Sequence, residues 1–300
     1  MEHVPVLLRE VLVFLQEHPS LNKVLDCTLG LGGYSEAILS SSFSTKVFGV
    51  DQDDQALAFA KERLQPFGER FYPAKGNFSS LPASITSHAP FDAIVFDLGV
   101  SNLQLVDEER GFSFQSDGPL DMRMDRDEPF SASDIVNTYP ERELADLFWK
   151  YGEERFSRQL ARGIVRHREG KGLIERTSTL VEVVRSTLPA PVQRKMGGHP
   201  ARRIFQALRI AVNDEISVLQ DALHGVPALA ASGSLVLVVS YHSLEDRIVK
   251  TLFKMWREQG KGTILTKRPL TPSEEEIETN HKSRSAKMRV FRFENGRKGV

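Results

Sequence analysis

The sequence predicts an α/β fold in which a doubly wound parallel sheet is interrupted by a mainly helical insertion. Strands and helices alternate up to residue 97, helical patterns alone fill the interval to about residue 232, and a strand resumes near residue 235. Such alternation is typical of a parallel sheet with helices on both faces. We therefore expect a sheet domain in two segments, 1–108 and 213–300, and a helical domain at 109–212.

Hydrophobic periodicity predicts the individual elements of both domains. The expected strands are 24–25, 47–50, 71–74, 91–96, 235–240, 263–267 and 287–293, the last two as a hairpin-like pair. The expected helices include one that begins near Pro5, one between the first two strands, and those at 53–64, 141–150, 154–169, 179–187, 200–223 and 244–259.

A glycine loop after the first strand predicts a site for a nucleoside cofactor. The strand ends on Asp26, glycines follow at 30, 32 and 33, and the second strand ends on Asp51. Glycines let the backbone approach a ligand closely, and the next helix points its N–H groups towards that ligand. A carboxylate at the position of Asp51 suits the two hydroxyls of a ribose.

Two cofactor classes compete for this loop. A dinucleotide fingerprint needs Gly-x-Gly-x-x-Gly, but its sixth position is Ser35 here, and the third glycine comes early, at Gly33. A carboxylate at Asp26 repels a pyrophosphate and attracts a cationic amino-acid group. The pattern therefore favours S-adenosylmethionine, which carries a sulfonium and an ammonium and no phosphate.

Composition excludes several classes of protein. The net charge is −1 and the single cysteine, Cys27, excludes an internal disulfide and a thiolate zinc site. The N-terminus lacks the basic region of a secretory signal, and the longest aliphatic run, 235–239, is too short for a membrane span. We find no cluster with metal-ligand spacing. We therefore expect a cytoplasmic protein without a membrane association, and the sequence does not determine a metal requirement.

The charges of the insertion are segregated. Residues 105–154 contain 14 acidic and 5 basic residues, whereas residues 155–209 contain 13 basic and 3 acidic ones. Arginines at helical spacing predict a basic helix face, which is either an ordinary solvated surface or a surface for nucleic-acid phosphates. The other basic residues of 155–209 make a surface for nucleic-acid phosphates the better interpretation. The arginines that we assign to RNA binding are Arg155, Arg158, Arg162, Arg202 and Arg203.

Further motifs resemble those of a known family over nearly the whole chain. They are DLGVS at 97–101, Gln104, RGFSF at 110–114, GPLDMRMD at 118–125, YGEERFS at 151–157, HPARR at 199–203, FQALR at 205–209, NDE at 213–215, SYHSLEDR at 240–247 and RSAK at 284–287. In this order they are similar to the motifs of the bacterial small-subunit ribosomal RNA N4-cytidine methyltransferases (RsmH/MraW). The resemblance implies a Rossmann-like methyltransferase sheet with a helical substrate domain.

The resemblance also implies a cofactor, a substrate and a set of contacts. The cofactor is S-adenosylmethionine, and the substrate is 16S ribosomal RNA in the decoding region. We expect this RNA to be within the assembled 30S subunit, and the sequence leaves free RNA open as the alternative. The chain differs from the family pattern at Tyr34, where histidine is usual, and at Asn102-Leu103, where Ser-Pro is usual. The implied cofactor contacts are Gly32, Gly33, Tyr34, Asp51, Phe78, Asp97 and Gln104.

Several residues are candidates for the chemistry at the base. Asp97 could accept a hydrogen bond from the cytosine amine, bind the cofactor only, or cap a turn. His242 and Ser243 could contact the base or its ribose, although His242 could equally be structural. Aromatic rings often receive an extruded base, but each could equally pack in a core. The aromatic candidates are Phe112, Phe114 and Tyr241.

Two other functional classes remain open at this stage. A non-catalytic RNA-binding assembly factor could use the helical domain and hold the cofactor structurally, but the intact loop and Asp97 weigh against it. A nicotinamide oxidoreductase predicts a glycine at the position of Ser35. The leading hypothesis is a methyltransferase that modifies N4 of a cytidine in ribosomal RNA.

Overall fold

The computed structural model describes residues 4–196 and 198–294, which form two compact units. One unit runs to Gly99 and resumes at Ile216, and the other is Val100–Glu215. The helical unit thus begins at residue 100 rather than 109 and ends at 215 rather than 212. It begins early because Val100 and Leu105 pack against the core of the helical unit.

The first unit contains one seven-stranded sheet with the order β3-β2-β1-β4-β5-β7-β6. Its strands are β1 (Lys23–Asp26), β2 (Lys46–Asp51), β3 (Phe71–Lys75), β4 (Phe91–Asp97), β5 (Ala230–Ser240), β6 (Gly262–Ile264) and β7 (Lys287–Phe293). The strands β1 to β5 are parallel, and β7 is antiparallel to both of its neighbours. The strand order reverses between β1 and β4, where ligands bind in doubly wound sheets.

Helices surround the sheet and make up the second unit. In chain order they are α1 (Leu8–Gln16), α2 (Gly33–Ser41), α3 (Asp54–Leu64), α4 (Ala83–Thr86), α5 (Asn102–Val106), α6 (Ala132–Thr138), α7 (Glu141–Gly152), α8 (Ser157–Lys171), α9 (Thr177–Thr187), α10 (Ala190–Lys195), α11 (Arg202–Val212), α12 (Glu215–Leu229), α13 (Ser243–Glu258) and α14 (Glu274–Thr279). Within the described residues, none of them is long and apolar enough to cross a membrane.

The sheet separates two hydrophobic cores. Alternate residues of a strand point to opposite faces, so Val24 and Val95 pack on the side of α1, α2 and α3. Their neighbours Leu25 and Phe96 pack on the other side, against α12 and α13. Both faces of the central strands are therefore apolar, and polar groups are left to the strand ends.

The helical unit has a core of its own. Helix α7 packs against both α8 and α11. Its buried stripe includes Leu144, Leu147 and Phe148, and α11 contributes Ile204 and Leu208. No strand of the sheet lies within residues 100–215 among those that the structure describes.

The predicted helix 200–223 is wrong in one respect, because it is two helices. Helix α11 ends at Val212 and α12 begins at Glu215. Between them Asp214 takes a left-handed conformation with φ of 45°. The Asn213 side chain accepts the Met124 N–H (2.8 Å) and donates to the carbonyls of Met122 (2.8 Å) and Arg209 (2.9 Å). These bonds stabilise the break.

Smaller differences concern where elements begin and end. Strand β5 begins at Ala230 rather than 235. Helix α8 begins at Ser157 rather than 154, because Glu153 is left-handed (φ 48°) and the Glu154 carboxylate accepts the Phe156 N–H (2.9 Å). Strand β6 ends at Ile264 rather than 267, since the Val290 N–H bonds to Thr266 Oγ1 (2.9 Å) instead of a backbone carbonyl.

Candidate functional site

Three carboxylates meet at the carboxyl ends of adjacent parallel strands. Asp26 ends β1, Asp51 ends β2 and Asp97 ends β4. Because β1 pairs with both β2 and β4, Asp26 is the central one of the three. The strand order reverses at this point, so the sheet itself concentrates acidic groups where a ligand would bind.

Asp26 is wholly buried, and its carboxylate organises the loop. It accepts a hydrogen bond from the Ser35 hydroxyl (2.7 Å) and one from the Thr28 N–H (3.3 Å). The Thr28 hydroxyl oxygen in turn accepts the Asp97 N–H (2.6 Å). Burial raises the pKa of Asp26 to about 6, against the opposing effect of these bonds. Ser35, which breaks the dinucleotide fingerprint, is thus the partner of the first carboxylate.

Asp51 holds the glycine loop against the end of β2. Its carboxylate accepts the N–H groups of Gly30 (2.7 Å) and Asp53 (2.9 Å). Burial raises the pKa of Asp51 to about 6. Gly32 has φ of 78°, and a Cβ there would lie 3.0 Å from Leu64. The loop therefore needs glycine at this position, as expected for a backbone that must approach a ligand.

Tyr34 and Phe78 flank the loop but differ in their surroundings. Tyr34 is 4% exposed and its hydroxyl donates to the Val6 carbonyl, so its ring belongs to the core under α1. Phe78 is half-buried after β3 and meets Phe96 edge-on, with ring centroids 5.7 Å apart. The cofactor contacts assigned to these residues, and to Gly33 in the first turn of α2, remain predictions.

Asp97 is bonded to a phenol from the neighbouring strand end. The Tyr241 hydroxyl donates to Asp97 Oδ1 at 2.7 Å. Burial raises the pKa of Asp97 to about 7; the Tyr241 hydrogen bond opposes this rise, and the charges of Asp26 and Glu245 add to it. Burial also raises the pKa of Tyr241 well above its ordinary value, so the phenol stays protonated. Tyr241 is therefore a hydrogen-bond donor to Asp97 as well as a candidate stacking ring.

His242 and Ser243 begin α13. His242 Nδ1 accepts the Glu245 N–H (3.4 Å), and the Glu245 carboxylate accepts the N–H groups of Tyr241 (2.7 Å) and His242 (3.2 Å). His242 therefore caps the helix, which is the structural role weighed from the sequence. Ser243 is exposed at the first helical position. The contacts of these residues with a substrate remain predictions.

Three other candidates belong to the helical unit. Gln104 is buried and forms a capping box with Ser101 at the start of α5. Phe112 is 6% exposed in the core of this unit, with the Arg110 guanidinium 5.8 Å from its ring centroid. Phe114 is half-buried and stacks on His199, with ring centroids 4.6 Å apart. Phe114 is thus more open to a base than Phe112.

The arginines assigned to RNA binding are exposed in the structure. Arg155, Arg158 and Arg162 are exposed, and Arg162 lies 3.4 Å from Glu141. Arg202 and Arg203 are exposed at the start of α11, where Arg203 donates to the Glu153 carbonyl (3.2 Å). The structure thus places these five arginines on the surface of one unit, and two of them contact the acidic segment.

Sequence reasoning missed some of the residues that organise the site. Thr28 and Ser35 tie the loop to Asp97 and Asp26, and neither belongs to a recognised spacing.

Trp149 is 62% exposed on α7. The sequence could have indicated this exposure, because Trp149 falls outside the apolar stripe that contains Leu144 and Phe148.

S-adenosylmethionine fits the chemistry of these residues. The negative charges of Asp26 and Asp51 act on one another, and Asp26 also raises the pKa of Asp97. A cationic ligand would relieve this repulsion, whereas a pyrophosphate would increase it. Asp51 would hold the ribose, the loop would accommodate the amino-acid part, and Phe78 would lie near the adenine.

Comparisons with known proteins identify the family of this chain. The model of the MraW methylase family matches residues 1–294. The chain is 45% identical over 310 residues to a "Ribosomal RNA small subunit methyltransferase H" of Carboxydothermus hydrogenoformans, covering 96% of each.

Solved structures are more distant. A ribosomal RNA methylase from Streptococcus thermophilus has a TM-score of 0.46 and 11% identity over 98% of this chain and 100% of its own. The N-methyltransferase NodS from Bradyrhizobium japonicum, solved with S-adenosylhomocysteine, has a TM-score of 0.44 and 9% identity over 96% of this chain and 86% of its own. The family match over almost the whole chain decides the assignment. The chain belongs to the MraW methylase family, whose cofactor is S-adenosylmethionine.

Proposed function

We propose that this methylase transfers the methyl group of S-adenosylmethionine to the exocyclic N4 of a cytidine in 16S ribosomal RNA, in the decoding region of the small subunit. The observation that carries the proposal is the half-buried Asp97 carboxylate at the end of β4, with its pKa of about 7 and Tyr241 as its donor. The relative at 45% identity is named as a methyltransferase of small-subunit ribosomal RNA, which supports such a substrate for this chain.

The reaction requires a hydrogen-bond acceptor next to the exocyclic amine of cytosine. The lone pair of the cytosine amine is delocalised into the ring, so the amine is a poor nucleophile. S-adenosylmethionine, when bound, supplies the electrophilic methyl group. The Asp97 carboxylate would accept a hydrogen bond from the amine, return electron density to nitrogen, and take up the proton that is lost after attack. Alignment of the two reactants can supply about 7–11 kcal/mol in the best cases.

The ionisation of Asp97 matches this role. A base is most effective when its pKa lies near the operating pH, and the pKa of Asp97 is about 7. The Tyr241 hydroxyl donates to the charged form and so keeps part of the population ionised. Tyr241 is in this sense a positioning residue for Asp97.

Methylation of a ring carbon is the less suitable alternative. That reaction needs a thiolate to add to cytosine, and Cys27 is the single cysteine of the sequence. It is 3% exposed at the end of β1, and burial raises the pKa of its thiol well above the ordinary value. A buried, protonated thiol supports a role for Cys27 in packing.

The helical unit supports an RNA substrate. Its exposed arginines, Arg155, Arg158, Arg162, Arg202 and Arg203, suit phosphate groups. A target base must also leave its stack to expose the amine. We propose that the assembled 30S subunit presents the target and that the enzyme acts in the cytoplasm, where this substrate resides.

Nucleoside mass analysis of small-subunit RNA tests the proposal. Cells that lack the gene should lose N4-methylated cytidine, a wild-type copy should restore it, and an Asp97→Ala copy should not. Restoration by Asp97→Ala would favour the alternative, an RNA-binding assembly factor without catalysis. Loss of a methyl group at another position would overturn the N4 assignment. Purified enzyme with naked 16S RNA or with 30S subunits then identifies which of the two is the substrate.

A further inference from the structure

A surface groove lies between the end of α7 and the start of α8 in the helical unit. It has a volume of about 530 Å³, and its wall includes Ala145, Trp149, Phe156 and the arginines 155 and 158. All these residues belong to one compact unit. The groove therefore combines aromatic surface with positive charge on one compact unit.

The indole of Trp149 is exposed and does not pack in the core of the helical unit. Its neighbours Leu147 and Phe148 are buried in the core, whereas Trp149 is 62% exposed. The other tryptophan of the sequence, Trp256, is 1% exposed. An exposed indole loses the free energy that burial of a large apolar ring supplies, and tryptophan in such a position is typical of a contact surface.

The charges of the groove favour a phosphate at one end. Arg155 and Arg158 are both exposed, and the first turn of α8 contains no acidic residue. The one acid in the wall, Asp146, lies 3.9 Å from Arg142 one helical turn away. The positive end of the α8 dipole adds to the attraction for an anion.

We propose that this groove binds one nucleotide of single-stranded RNA outside the methylated cytidine, with its base stacked on Trp149 and its phosphates at Arg155 and Arg158. This inference rests on the proposed function, because it takes RNA as the substrate. Stacking on an aromatic ring accepts any base, since every base has a π face, while the arginines follow the backbone. The groove would thus hold one nucleotide outside the target without reading the identity of its base.

Tryptophan fluorescence provides a direct measurement. Titration of the full-length protein with a single-stranded RNA of roughly ten nucleotides should quench the exposed indole of Trp149. The Trp149→Phe variant retains only the buried Trp256, so the quenching should disappear while the RNA affinity stays within about threefold. Trp149→Ala should bind the RNA about tenfold more weakly. Leu173→Ala, which truncates another exposed apolar side chain of the same unit, is the matched control and should bind as the wild type does.

Two results would overturn the proposal: quenching that persists in Trp149→Phe, or wild-type affinity in Trp149→Ala. A duplex of the same sequence that binds with equal dependence on Trp149 would also contradict it, because paired bases do not offer their faces. Failure of the proposed function is a separate result, since it means that the wild-type protein does not methylate 16S RNA. Should Trp149→Ala not fold, a charge reversal of Arg155 and Arg158 should weaken binding and reduce its salt dependence instead.

Discussion

Tyr241 and Asp97 are joined by a hydrogen bond of 2.7 Å from the phenol to the carboxylate, and they stand at the ends of neighbouring parallel strands. Asp97 is paired in register with Val239, so Tyr241 lies two residues beyond and on the same face of the sheet. Gly99 has φ of 95°, and even a Cβ there would be 3.5 Å from the ring. This hydrogen bond links Asp97, the candidate proton acceptor, to the segment that leads into α13.

Replacement of Tyr241 tests this pair. In Tyr241→Phe the carboxylate loses the donor that opposes the effect of burial, so the pKa of Asp97 should rise further above 7. Single-turnover methyl transfer at pH 7 should fall by about tenfold. The measurement is the rate at saturating cofactor from pH 6 to 9, where the variant should recover as the pH increases.

Tyr72→Phe is the matched control for this experiment. Tyr72 lies on β3, where its hydroxyl meets Lys46 at 3.5 Å, and its loss should leave the pH profile unchanged. An unshifted profile in Tyr241→Phe would mean that the phenol does not tune Asp97. A lower rate with a normal profile would indicate a stacking role for the ring instead.

The three carboxylates at the strand ends should make stability depend on pH. Their folded-state pKa values are about 6 for Asp26 and Asp51 and about 7 for Asp97, compared with 3.8 in the unfolded chain. Because these pKa values are raised, their stabilising contribution is complete below pH 3.8 and is lost as the pH rises through 6 to 7. The cofactor-free protein should therefore show a component of stability that declines over this range.

Cofactor binding should show the opposite dependence on pH. A cation prefers the ionised carboxylates, so the affinity for S-adenosylmethionine should increase from pH 6 to 7.5. S-adenosylhomocysteine lacks the sulfonium charge and should show a smaller increase. Calorimetric titration of both ligands, with Asp97→Asn as the variant that removes one titrating group, checks this expectation. Equal pH dependence for the two ligands would contradict it.

Charge reversal on α8 should weaken RNA binding selectively. In the double variant Arg158→Glu and Arg162→Glu, two exposed positive charges become negative, so RNA affinity should fall and its salt dependence should become shallower by about 0.7 per lost phosphate contact. The affinity for S-adenosylmethionine should not change. Lys250→Glu with Lys254→Glu has the same spacing on α13 and is the control. Unchanged RNA affinity at low salt would defeat the prediction.

Asn213 should be important for the stability of the helical unit. Asn213→Ala removes two hydrogen bonds to the backbone of residues 122–124 and one to the Arg209 carbonyl of α11. We therefore expect a loss of about 2 kcal/mol in the free energy of unfolding. Denaturant unfolding followed by circular dichroism measures it. Asn22→Ala, at an exposed position, should change stability by less than about 0.5 kcal/mol. Equal stability of the two variants would show that the break does not depend on the Asn213 side chain.

Much of the fold could be predicted because its signals are local. A continuous apolar run predicted β4, since strands buried on both faces have few polar residues. The break between α11 and α12 could not be predicted in this way, because the apolar spacing continues through it. Asp214 tolerates the left-handed conformation there, and distant backbone groups of the same unit stabilise it.

The candidate site also has a part that could be predicted from the sequence and a part that could not. Asp26, Asp51 and Asp97 could be predicted as a group, because the carboxyl ends of parallel strands meet at one edge of a sheet. Their hydrogen-bond partners could not, since Ser35, Thr28 and Tyr241 reach them across loops and between strands. The exposure of Trp149, in contrast, could be predicted, because this residue falls outside the apolar stripe of α7.

The sequence by itself determined the class of fold, the cofactor loop and the family, because these depend on periodicity, glycine positions and motifs that are close together along the chain. Only the tertiary structure decided the ionisation of the acids and the partner of each. A pKa depends on burial and on neighbouring charges, and both arise from residues far apart in sequence. Asp97 and Tyr241, 144 positions apart, meet only because β4 and β5 pair.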